Sequence, residues 1–160
     1  MKILATIVAL LLSANSAAGV VRTCEARTAT AFPDYEQTPG FDPRPAPDVH
    51  PSDANSVARG DYDGDGKTDM ALLLRPKDGT GQYAISVCLT SKPTAVPELI
   101  RDVNTTAPLS TTVKGSEYYD FDAGAEGRYE LDGVGSYCCE CCGATYILRG
   151  GHFVEIVDSD

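Results

Sequence analysis

The chain has 160 residues, with 13 Lys+Arg against 23 Asp+Glu and a formal net charge of −10. That length suits one domain with a real core, and that charge sets the chain against nucleic acid and anionic membrane surfaces. Hydrophobic residues at 42% and charged residues at 22% exclude a disordered chain, while 15 Gly and 10 Pro predict many turns.

Lys2, the apolar run Ile3 to Leu12 and the small residues Ser13 to Ala18 have the layout of a secretory signal peptide, as against a buried N-terminal helix. The run is too short to cross a bilayer core of roughly 30 Å. Ser16 and Ala18 suit the positions before a cut, which predicts a signal peptide over 1–18 and a mature chain from Gly19. Arg22-Thr23 ahead of Cys24 do not fit a lipoprotein. The expected destination is secreted or periplasmic, without membrane insertion after cleavage.

Residues 19–55 read as a Pro-rich arm. Six of the ten prolines lie between Pro33 and Pro51, which predicts extended or polyproline-like chain there, not helix or interior strand. Phe32, Tyr35 and Phe41 are candidates to anchor it along a sheet. Pro43-Arg44-Pro45-Ala46 fits a PxxP ligand, or simply an arm.

Residues 56–160 read as a β domain. Met70 to Leu74 is a short apolar run suited to a strand buried on both faces. Pro76 to Gly81 is turn chemistry. Tyr83, Ile85, Val87 and Leu89 then alternate with Ala84, Ser86 and Cys88, the pattern of a half-buried strand. The two runs predict a hairpin. Glu98 to Val103 is a further candidate strand, and 104–113 is ambiguous. Gly150-Gly151 between Thr145–Arg149 and His152–Val157 predicts a hairpin pairing Ile147 with Val154 and Leu148 with Phe153. Sustained helical periodicity is missing after residue 18, so the predicted fold is mainly β: a small antiparallel sheet or meander with little helix.

Cys24, Cys88, Cys138, Cys139, Cys141 and Cys142 are an even set, which in an exported chain predicts disulfides. At least one bridge is expected to tie Cys24 or Cys88 to the C-terminal cluster. Cys138-Cys139-Glu140-Cys141-Cys142 also has overlapping C-x-x-C spacings suited to a soft metal or thiol exchange.

The sharpest chemical motif is Gly60-Asp61-Tyr62-Asp63-Gly64-Asp65-Gly66-Lys67-Thr68-Asp69. Carboxylates at loop positions one, three, five and nine can turn inward together around a hard cation. Gly66 supplies a sharp turn, and Lys67 is placed to offer a carbonyl. The bland alternative is an acidic glycine-rich surface turn. A standard EF-hand needs Glu at position twelve, where this chain has Leu72. The segment, with Met70-Ala71-Leu72 following, resembles the calcium loop of the FG-GAP/VCBS repeat family, G-D-x-[DN]-G-D-G-x-x-D before an apolar strand. That resemblance implies Ca2+ held by the Asp61, Asp63, Asp65 and Asp69 side chains and the Lys67 carbonyl. It covers about fifteen residues of this chain, in one copy, so a closed propeller is not available.

Arg59-Gly60-Asp61 reads as a coincidental integrin tripeptide and Asn104-Thr105-Thr106 as a glycosylation sequon. His50 and His152 read as surface residues. Glu117, Asp120, Asp122 and Glu126 offer an acid–base pair for a glycosidase-like site or, more simply, a solvated acidic loop. The expected function is an exported calcium-binding, disulfide-stabilised binding or structural module of the cell envelope or extracellular space. Its expected partners are calcium and a protein or polysaccharide. The alternatives are a small metal-dependent hydrolase and a thiol- or metal-handling protein centred on Cys138–Cys142.

Overall fold

The computed structural model describes residues 22–38, 56–103, 108–138 and 142–157. The signal-peptide segment, Phe41, the PxxP stretch, His50, the sequon, Cys139 and Cys141 lie outside these described residues.

Within the described part of the Pro-rich arm, the chain forms one short helix, α1 (Cys24–Ala31), and a three-residue strand, β1 (Tyr35–Gln37). Helix α1 has a local start signal, the Thr23 hydroxyl accepting the Ala26 N–H at 3.3 Å. A helix this short is marginal alone, and tertiary contacts hold it. Cys24 is bridged to Cys88, and the Thr28 hydroxyl shares a 2.8 Å hydrogen bond with that of Ser86. Arg27 Nη2 donates to the carbonyls of Lys92 at 2.9 Å and Ala95 at 2.8 Å. Strand β1 is extended and lies along an edge, as the proline content predicts.

The first sheet is built on β3 (Asp69–Pro76). Its other members are β1, β2 (Val57–Gly60), β4 (Tyr83–Cys88) and β5 (Glu98–Val103). β3, β4 and β5 form the predicted antiparallel meander, with Leu73 opposite Ile85. β1 and β2 pair with successive parts of the other edge of β3.

The second sheet has the order β11-β10-β9-β6. Its strands are β6 (Leu109–Thr112), β9 (Gly133–Cys138), β10 (Cys142–Arg149) and β11 (His152–Val157). The Gly150-Gly151 turn has φ of 58° and 92°, conformations that glycine adopts without strain. It sets the predicted register, Ile147 opposite Val154 and Leu148 opposite Phe153. A separate ribbon pairs β7 (Glu117–Asp120) with β8 (Ala125–Arg128).

The two sheets enclose a shared core. Ala58, Ala71, Leu73, Ile85 and Val87 from the first meet Leu109, Val134 and Tyr146 from the second, with Tyr62 among them. A smaller cluster on the outer face of the first sheet joins Leu72, Leu74 and Ala84 to Cys24, Phe32 and Tyr35. The ribbon covers part of the second sheet's outer face, where Tyr118 and Tyr129 pack with Ile147 and Ile156.

Two expectations are corrected. Strand β4 is buried along both faces, not half-buried, because α1 lies over its small side chains. Ala84, Ser86 and Cys88 are small enough to admit the helix, which reads locally like a solvent-facing alternation. Cys24 and Cys88 pair with each other, so neither is tied to the C-terminal cluster. Such a pairing is typical of chains in an oxidising, non-cytoplasmic environment. Among the described residues, no helix is long and apolar enough to cross a membrane.

Candidate metal centre

Strand β2 ends at Gly60 and β3 begins at Asp69, and these two residues face each other in the ladder. The sheet therefore closes the acidic loop at its base. Gly64 and Gly66 turn it with φ of 77° and 80°, in the left-handed region where a side chain is strained.

Inside the loop each of three aspartates gives one oxygen to the backbone. Asp61 Oδ2 accepts the Gly66 N–H at 2.9 Å, Asp63 Oδ1 that of Asp65 at 3.2 Å, and Asp65 Oδ1 that of Lys67 at 2.8 Å. These bonds converge the carboxylates, so that one oxygen from each of Asp61, Asp63 and Asp65 lies within 4.8 Å of the others. Of their second oxygens, Asp63 Oδ2 accepts the hydroxyl of exposed Ser91. Asp65 Oδ2 meets the ammonium of exposed Lys67 at 3.2 Å. Asp61 Oδ1 is buried and accepts no hydrogen bond. A carboxylate oxygen removed from water without a donor is costly, and a cation at that point would offset the cost. The group could hold a hard metal ion through oxygen alone.

Asp65 is held below the usual carboxylate range, first by the Lys67 backbone N–H and then by the Lys67 side chain. Asp69 is different. It is only 1% exposed, and its oxygens accept three hydrogen bonds. Oδ1 takes the Thr90 N–H at 2.7 Å and the Thr90 hydroxyl at 2.9 Å, and Oδ2 takes the Tyr62 N–H at 3.0 Å. Burial pushes its pKa up against the pull of Thr90, and the nearby Asp63 charge pushes the same way. Asp69 thus lies outside the converging trio and ties the loop to the connection after β4. Lys67 lies in the loop, with its N–H and ammonium both on Asp65.

Two supporting residues are given no role by the sequence motif. Tyr62 is fully buried, its hydroxyl 3.3 Å from that of Thr111, and burial pushes its pKa up to about 12. It inserts the loop into the core between the sheets. Asp132 accepts the Asp61 N–H through Oδ2 at 2.9 Å and the Lys114 N–H through Oδ1 at 2.9 Å. Gly60 is required beside them: a Cβ there would lie 2.8 Å from Tyr62 Cε1 and 2.9 Å from Thr111 Cγ2. That glycine ahead of the first aspartate is the only sequence trace of this close approach.

The other candidates do not converge in this way. Glu117 pairs with Arg128, and Asp120 Oδ1 accepts the N–H groups of Asp122 and Ala123, both at 3.0 Å, to cap its own turn. His152 is exposed at the start of β11. The Asp61 carboxylate of the integrin-like tripeptide turns into its own loop toward Gly66. Cys138 and Cys142 are opposed across the β9–β10 ladder.

No family model, curated protein or solved structure matches the chain.

Proposed function

We propose that this chain is an exported calcium-binding module, secreted or periplasmic, in which the ion orders an exposed loop of a disulfide-tied β scaffold. The observation that carries the reading is the convergence of the Asp61, Asp63 and Asp65 carboxylates, together with a buried Asp61 oxygen that lacks a donor. Calcium suits it because the offered ligands are all oxygen and the loop accepts irregular geometry. The resemblance of Gly60–Asp69 to the FG-GAP/VCBS loop supports the same ion.

In this reading Asp61, Asp63 and Asp65 are side-chain ligands, and the Lys67 carbonyl completes the protein's contribution. Binding would displace the Lys67 ammonium and the Ser91 hydroxyl, both exposed and able to turn to water. Asp69, which the family resemblance makes a further ligand, serves here to brace the loop through Tyr62 and Thr90. The ordered loop and its neighbouring surface then contact a protein or polysaccharide partner of the envelope or extracellular space.

Melting in calcium and in chelator tests the ion. At calcium about 100 times the dissociation constant, binding adds about 2.7 kcal/mol. The wild type should melt several degrees higher with calcium, and Asp61→Ala should abolish the gain. Superimposable wild-type curves would overturn the reading.

A further inference from the structure

The bridge between Cys24 and Cys88 removes both from the partners open to the other four cysteines. Those four fall within residues 138–142. There the β9–β10 ladder sets Cys138 directly opposite Cys142. Opposed residues of an antiparallel pair have Cα atoms about 4.5 or 5.5 Å apart, and both spacings fall in the usual disulfide range of about 4.4–6.8 Å. By the two-residue period, the two positions share a ladder face with the opposed pairs Ser136–Ala144 and Val134–Tyr146.

The same strands show what a bridge would do. β9 carries glycine at 133 and 135, and glycine-rich strands specify their register weakly. A slip of one residue would exchange the faces of Tyr146, which belongs to the core between the sheets, and Ile147, which packs under the ribbon. A covalent tie at the end of this ladder would forbid that slip.

We propose that Cys138 and Cys142 are a modification site, oxidised to a cross-strand disulfide that locks the register of β9 and β10. The two thiols lose two protons and two electrons to a small-molecule disulfide of the glutathione type. One S–S bond forms in the chain, one breaks in the oxidant, and the oxidant leaves as two thiols.

The full chain, equilibrated with excess glutathione disulfide, unfolded and alkylated without reduction, provides the test. Cleavage after Glu140 separates Cys138 and Cys139 from Cys141 and Cys142. The two fragments should remain joined until reduced. Electron-transfer fragmentation, which breaks the backbone between adjacent cysteines, should assign the link to Cys138 and Cys142. The double variant Cys139→Ser/Cys141→Ser should still lose two mass units on oxidation at this hairpin. Fragments that separate without reduction would overturn the proposal. So would a link through Cys139 or Cys141 in place of Cys138–Cys142, four thiols co-purifying with zinc, or a double variant that stays reduced.

Discussion

Two stretches of this chain carry four carboxylates within about ten residues, and the fold uses them in opposite ways. In the loop of residues 61–69, the Gly60–Asp69 pair closes the base, two left-handed glycines fold the chain inward, and three carboxylates converge. In the ribbon of residues 117–126, Glu117 meets Arg128 and Asp120 caps its own turn, while Asp122 and Glu126 face solvent. Acidic density is the same in both. What separates them is backbone geometry that leaves a buried oxygen without a donor in one and in neither turn nor strands of the other, among the described residues.

The comparison breaks most severely at Asp69. Asp69→Ala removes three hydrogen bonds and leaves the buried Tyr62 N–H and the Thr90 N–H without an acceptor. A loss of about 3–5 kcal/mol is expected in denaturant melts. A loss below about 1 kcal/mol would show that Asp69 does not brace the loop.

Tyr62 sharpens the same contrast through pH. Its phenol ionises near 10.0 when unfolded and at about 12 in the fold, because burial disfavours the phenolate. The folded state therefore holds its proton longer, and stability falls as pH climbs from 10 toward 12, by about 2–3 kcal/mol. Tyr62→Phe should lack this part of the decline, so the stability gap between wild type and variant should move in the variant's favour between pH 9 and pH 12. A gap independent of pH would mean that the ring is hydrated in the native state.

Asp120 should give the smallest effect. Asp120→Ala loses the cap of an exposed turn, about 0.5–1 kcal/mol, and should leave the calcium-induced rise in melting temperature unchanged. A reduced calcium response in that variant would make the ribbon, not the loop, the ion site.

What the sequence made legible was local. Gly150-Gly151 announced its hairpin and register because a two-residue turn fixes both. Met70–Leu74 and Tyr83–Leu89 announced theirs through apolar runs around turn residues, and the loop's aspartates through their spacing. Features set by distant partners were not legible. Helix α1 has weak periodicity and depends on Cys88, Ser86 and the turn at Lys92–Ala95. Strand β9 reads poorly because Gly133 stands where Thr145 and Ile147 crowd in from β10, leaving no apolar alternation to detect. Asp132 looks like any other acidic residue, since its work is to accept backbone N–H groups remote in sequence. Asp69, legible as a candidate ligand, gave no sign that it would be buried and brace Tyr62 and Thr90.

The most direct measurement is a calorimetric titration of the metal-free chain with calcium. Three convergent carboxylates on an exposed loop predict one saturable site with a dissociation constant of about 0.1–1 mM, the range of extracellular calcium modules. The same titration of Asp61→Ala should give only the heat of dilution. A wild-type trace that is itself only dilution, or a variant that binds as the wild type does, would contradict the account.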